Sequence, residues 1–339
     1  MRILVTGSAG FIAGYLIDEL LSQGHQVVGI DNLSKYGSIE KSYADNPLYT
    51  FVKGDVKDVA LLKDIIADCD QVVAAAAVIG GISLFHSLAY DLLAENERII
   101  ASTFDAALWA FKNRQLKKIN VISSSMVFEN TMRFPTPEGE QLKAPPPSST
   151  YGFQKLACEY FAKGAFEQYR LPYTIIRPFN CIGVGERRAV NDVKIMSGNI
   201  QLAMSHVVPD LIQKIIKGQY PVHILGDGNQ IRHYTYGGDL AVGIRLCIER
   251  QEAVNQDFNL STSASTTVLD LARAIWAKIN PGKPFKYISE KPFKYDVQKR
   301  IPDVRKAKLV LNFEATTSLN KALDEIIPWV QHQIQLGNI

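Results

Sequence analysis

Tyr151 and Lys155 stand four residues apart, downstream of the hydroxyl run Ser123-Ser124-Ser125. On a helix that spacing puts phenol and ammonium on one face, one turn apart. An ammonium beside a phenol favours the phenolate and draws its pKa down from about 10 towards that of a working general base. A serine hydroxyl near the same substrate oxygen can share or relay the proton. Such a group takes a proton from an alcohol while something else takes the hydride. Taken alone, Tyr-x-x-x-Lys also describes an aromatic packed on a lysine stem of a surface helix, so the reading needs a dinucleotide site elsewhere in the chain.

The start of the chain offers one. An apolar run at 2–6 leads into Thr6-Gly7-Ser8-Ala9-Gly10-Phe11-Ile12-Ala13-Gly14, followed by a helical pattern over 11–23. Glycines between strand and helix let backbone approach a pyrophosphate, which rests on the helix N-terminus. The spacing is GxxGxxA, and alanine is tolerated at the last position. Asp31 closes the second strand, where an acid bonds adenosine ribose hydroxyls; no arginine follows it directly, so the pattern selects NAD over NADP. Asp55, in Gly54-Asp55-Val56, could hold the adenine amino group or cap a helix from Lys57. Small residues at 74–77 suit a cofactor lying on backbone, or equally helix packing.

Apolar runs at 2–6, 26–30, 49–52, 71–76, 118–122 and 173–177 alternate with helical patterns at 11–23, 57–68, 87–112 and 150–169. This predicts an α/β fold with a doubly wound parallel sheet. The chain has 339 residues, 47% hydrophobic and 21% charged, enough for a large core. A net charge of +3 with no basic run argues against nucleic acid. Cys69, Cys158, Cys181 and Cys247 lack metal-ligand spacing, so reduced thiols and no metal are expected. The longest apolar run, 72–82, is too short for a bilayer, and no signal-peptide pattern opens the sequence; a soluble cytoplasmic protein is expected.

After Asn180 the alternation lapses. Residues 183–199 read as a long loop, either lid or disorder. A helix is predicted at 207–217, a strand at 222–225, a helix at 238–249, a strand rejoining the main sheet at 258–260, and a last helix at 318–336. The division expected is a dinucleotide-binding domain over 1–180 with return segments near 234–262, and a smaller interleaved α/β substrate lobe over most of 181–339.

Together these residues resemble the extended short-chain dehydrogenase/reductase family, in its NAD-dependent epimerase/dehydratase branch acting on nucleotide sugars. The resemblance spans nearly the whole chain. It adds Val127-Phe128, Arg177-Pro178-Phe179-Asn180, Gly226-Asp227-Gly228 with Arg232, Tyr234-Thr235-Tyr236, and 303–307 to the motifs above. It implies catalytic Ser124, Tyr151 and Lys155, with Lys155 on the nicotinamide ribose. It implies NAD contacts from Gly7, Gly10, Phe11, Ile12, Asp31, Asn32, Asp55, Val56, Ala75, Ala76, Asn96 and Pro178, besides Tyr151 and Lys155. It implies substrate contacts from Ser125, Asn180 and Arg232, and a diphosphate contact from Arg300 or Lys294 in the basic segment 291–300. A homodimer through helices 87–112 and 150–169 is also implied.

Absences narrow the reaction. The 4,6-dehydratases follow the catalytic hydroxyl with Asp-Glu; here Ser125 and Met126 follow. Decarboxylases place a glutamate nearby, but none stands at 123–127, and Glu129 lies beyond the predicted strand end. The 3,5-epimerases and GDP-fucose synthases use a cysteine where Met126 stands, although Gly80-Gly81-Ile82 resembles their Gly-Gly segment. Ser, Tyr, Lys and NAD remain, and they suffice for inversion at C4 of a nucleotide sugar through a 4-keto intermediate. A UDP-sugar is the expected substrate. The rivals are another sugar-nucleotide oxidoreductase or decarboxylase, and a non-catalytic NAD sensor.

Overall fold

The computed structural model describes residues 1–38, 40–79, 88–186, 192–195, 198–201, 206–292 and 297–339. The chain begins β1 (Arg2–Thr6), α1 (Phe11–Ser22), β2 (Gln26–Asp31), β3 (Tyr49–Lys53), α2 (Val59–Ile66), β4 (Gln71–Ala74), α3 (Ala89–Asn113), β5 (Lys118–Ile122), α4 (Thr150–Tyr169) and β6 (Tyr173–Pro178). It continues through β7 (Cys181–Ile182), β8 (Asp192–Ile195), β9 (Gly198–Gln201), α5 (Val207–Ile216), β10 (Val222–Leu225), β11 (Ile231–Arg232) and β12 (Thr235–Tyr236). It ends with α6 (Gly237–Glu249), β13 (Gln256–Leu260), β14 (Thr266–Thr267), α7 (Val268–Ile279), β15 (Tyr287–Glu290), α8 (Arg305–Leu311) and α9 (Leu319–Gln335).

The central sheet is parallel, in the order β13-β6-β5-β4-β1-β2-β3. Its inner strands are buried and mostly apolar because helices cover both faces, with Asn120 and Arg177 among the polar exceptions. One face buries Ile3, Val5 and Val73 against Leu16, Ile17 and Leu20 of α1 and Leu240 and Ile244 of α6. The other buries Leu4, Val72 and Val121 against Leu62 of α2, Phe104 and Ala107 of α3, and Ala162 of α4. The strand order reverses between β1 and β4, and ligands of such sheets bind at the carboxyl ends of the strands there.

The predicted strand at 258–260 is β13, which pairs with β6 at the sheet edge, while β12 pairs with β7 beside it. The second half therefore returns to the first rather than following it. A separate core joins Leu211 and Ile215 of α5, Leu271 and Ile275 of α7, and Leu323 and Ile326 of α9.

Two expectations change. The helix predicted from residue 57 starts at Val59, and its cap is Asp58, whose carboxylate accepts from Leu61 N at 3.1 Å. Asp55 instead closes a tight turn by accepting from Lys57 N. The stretch read as an aperiodic loop over 183–199 holds β8 and the start of β9, which pair antiparallel. Residues 187–191 and 196–197 of that stretch, Gly80-Gly81-Ile82 and Lys294 lie outside the described residues.

Candidate active site

Gly7 takes a positive φ of 70°, and a Cβ there would stand 2.8 Å from Ala76 Cα. The turn after β1 thus lies hard against the backbone that continues β4. Gly10, at the N-terminus of α1, gives no side-chain cap, and the first turn of α1 carries no acid. Unspent N–H groups at a helix N-terminus form an anion site. Asp31 accepts from Ala9 N at 3.1 Å and Leu33 N at 2.7 Å, which ties the end of β2 to that turn. Burial raises its carboxyl above the usual range, against the pull of those two donors and Lys41.

The hydroxyl run leaves the end of β5. Ser123 Oγ turns inward and donates to Glu159 Oε1 at 2.7 Å. Ser124 caps the 3₁₀ turn Ser125–Phe128, accepting from Met126 N. Tyr151 and Lys155 lie in the first two turns of α4, whose N-cap is Ser149. Lys155 is 5% exposed, and its Nζ donates to Ile122 O at 2.9 Å. The helix holding the phenol is thereby tied to the strand holding the serines.

Behind this lies a buried ion cluster. Arg177 Nε and Nη2 donate to Glu159 at 2.7 and 2.8 Å, and Nη1 stands 2.8 Å from Asp257. Burial works against the guanidinium's charge, but Glu159 and then Asp257 outweigh it and raise its pKa.

One cavity of about 850 Å³ runs across the carboxyl ends of the strands. Ser124, Ser125, Tyr151 and Lys155 line it together with Gly7, Gly10, Phe11, Ile12, Asp31, Asn32, Asp55, Val56, Ala75, Ala76 and Pro178. Asn180, Arg232 and Arg300 line it from the second half. Arg300 and Asn180 approach each other at 3.5 Å, and Arg300 N bonds Ile231 O beside Arg232. Asn96 is absent from the lining. Its amide is spent on Val78, accepting from the backbone N and donating to the O, so it braces the wall from behind.

Residues missed in the sequence also line the cavity. Lys35 does so four positions past Asp31; burial lowers its pKa, with Glu186 opposing. Glu186 lines it too and pairs with His206. Glu129, read as lying beyond the strand, is in the wall, because the 3₁₀ turn folds the chain back there. None carries a motif spacing. Among the described residues, no cluster of His, Cys, Asp or Glu could hold a metal, and no helix is long and apolar enough to cross a membrane.

A doubly wound sheet with a glycine turn, an acid after β2 and a Tyr/Lys helix in one cavity defines a dinucleotide-binding enzyme of the short-chain dehydrogenase/reductase type. The chain matches the NAD dependent epimerase/dehydratase family over residues 3–261 and belongs to it. A UDP-glucose 4-epimerase of Halalkalibacterium halodurans is 30% identical over 282 residues, covering 80% of this chain and 78% of its own. The crystal structure of UDP-glucose 4-epimerase with UDP-glucose from Thermotoga maritima superposes with a TM-score of 0.80 at 28% identity, covering 98% of this chain and 100% of that one. UDP-N-acetylglucosamine 4-epimerase from Methanobrevibacter ruminantium, in complex with UDP-N-acetylmuramic acid, gives 0.82 at 27%, covering 98% of each. NAD is the cofactor of the family, and the uncapped glycine turn with Asp31 behind it fits NAD.

Proposed function

We propose that the protein inverts the C4 hydroxyl of a nucleotide sugar, with a UDP-sugar as substrate. One observation carries this. The Ser124/Tyr151/Lys155 set shares a single cavity with the dinucleotide turn and with Asn180, Arg232 and Arg300. Relatives whose names specify UDP-sugar 4-epimerases support the substrate class.

Tyr151 takes the proton of the 4-hydroxyl as general base, Ser124 hydrogen-bonds the same oxygen, and Lys155 holds positive charge next to the phenol. Bound NAD supplies the hydride acceptor that opens C4 to a ketone and the hydride donor that closes it again. Arg232, Arg300 and Asn180 grip the diphosphate while the sugar presents its other face, and guanidinium forks suit that grip. Tyr151 then returns its proton to the oxygen, and because the hydride also goes back to C4, net redox is zero. Met126 has no proton to exchange, and Cys181, the cysteine that lines the cavity, is buried with its thiol pKa raised by that burial, which disfavours thiol-assisted epimerisation.

In this reading residues 1–180, with the return near 234–262, bind NAD, and most of 181–339 binds the substrate. A homodimer through α3 and α4 accounts for exposed Tyr90, Phe153 and Tyr160 on those helices.

Glu129 favours a second reading, decarboxylation of a UDP-uronate, because it puts a carboxylate in the cavity wall. Mass spectrometry of small molecules released by denaturing the protein, followed by a nucleotide-sugar panel, tests both. Bound NAD and interconversion of a 4-epimer pair without net change in nicotinamide absorbance are expected. Released carbon dioxide would establish the second reading, and net cofactor consumption would make the enzyme a reductase. Tight NAD binding with no turnover of any nucleotide sugar would leave an NAD sensor.

A further inference from the structure

Glu129 follows the 3₁₀ turn that carries Ser124 at its cap, and its own N–H closes that turn on Met126 O. Twenty residues later, Ser149 caps α4 by accepting from Gly152 N at 3.0 Å. One carboxylate oxygen, Glu129 Oε2, accepts from both Ser149 N and Ser149 Oγ, each at 2.9 Å. The two pieces also touch at Gly152, where a Cβ would stand 2.8 Å from Met126 O and 3.1 Å from Glu129 Oε2. Next to it, Asn130 donates to Pro146 O and Ser148 Oγ. The first turn of α4 contains no acid of its own, so Glu129 supplies the negative charge that the helix N-terminus favours.

Tyr151 lies inside this clamp, between the cap Ser149 and Gly152. We infer that Glu129 is a positioning residue: it sets the first turn of α4 against the serine turn and so fixes the Tyr151 phenol relative to Ser124. This rests on the epimerase reading given above. It differs from the decarboxylase reading because the carboxylate acts through hydrogen bonds to Ser149, not by proton exchange with the sugar. An amide oxygen could accept in its place, whereas a methyl could not.

The test compares Glu129→Ala, Glu129→Gln and Ser149→Ala by steady-state kinetics on the best UDP-sugar of the panel, NAD affinity, and crystal structures of Glu129→Ala and the wild type. Expected are a ten- to hundredfold loss of kcat in Glu129→Ala with KM and NAD affinity within threefold, recovery by Glu129→Gln to within threefold of wild type, and an intermediate loss for Ser149→Ala. The crystal structure of Glu129→Ala is expected to show the Tyr151 phenol displaced from Ser124. The inference is overturned if Glu129→Ala retains wild-type kcat, if Glu129→Gln is as impaired as Glu129→Ala, or if the phenol keeps its place. A wild-type protein that turns over no nucleotide sugar would overturn the epimerase reading instead, and the two crystal structures would still decide where Glu129 holds the phenol.

Discussion

Lys155 Nζ donates to the carbonyl oxygen of Ile122 at 2.9 Å. Ile122 is the last residue of β5, directly before the serine run. One of three ammonium donors is thus spent on the scaffold that presents the hydroxyls. Replacing Lys155 with Met leaves the buried Ile122 oxygen without its donor, at a cost of about 1–3 kcal/mol. Urea unfolding should show that loss, and epimerase turnover should fall with it. Tyr151→Phe should instead keep the fold and NAD affinity while lowering kcat by about 10²–10⁴, the usual range for a lost acid–base group. Retention of most of the turnover would remove Tyr151 from the chemistry.

Gly7→Ala forces a side chain into a left-handed conformation and against Ala76. The strain is worth about 1–3 kcal/mol. Both the denaturation midpoint and NAD affinity should drop. An equal change at Gly24, which has a positive φ but nothing within 4 Å, should lower stability and leave NAD affinity alone.

Glu159→Ala strips the buried Arg177 of two hydrogen bonds. Asp257 still pairs with the guanidinium, so the loss stays below the about 3–5 kcal/mol of a wholly uncompensated buried charge, and chemical denaturation measures it. The same cluster sets an acid limit. Burial alone would raise the carboxyl of Asp257, but Arg177 and then Lys306 hold it at about 2, below its ordinary 3.8. Because the folded value is the lower one, the stabilisation is complete above pH 3.8 and disappears as pH falls through about 2. It amounts to about 2 kcal/mol. Asp257→Asn should flatten stability against pH in that window.

The four thiols should resist alkylation in the native protein. Burial pushes Cys69 and Cys158 up to about 11 and Cys247 up to about 12, and raises Cys181 further. Mass-spectrometric counting of iodoacetamide adducts at pH 8 should find none before denaturation and four after. A rapidly labelled native thiol would reopen thiol chemistry at the site.

Local order explains what was legible from residues alone. The parallel strands, the turn from Gly7 to Gly10, Asp31 at a strand end and the Tyr151/Lys155 pair depend on period and near-neighbour spacing, which one stretch of chain states in full. Tertiary contact decided the rest. Three consecutive serines are alike in sequence, but only Ser123 meets Glu159 when α4 packs on β5. Asn96 looked like a cofactor contact, and packing put it behind the wall on Val78. Asp58, not Asp55, took the helix cap, since either satisfies the local preference. The clamp of Glu129 on Ser149 and the burial of Arg177 against Asp257 join residues far apart in the chain. Such pairings arise when the sheet brings separate elements together, and no spacing rule records them.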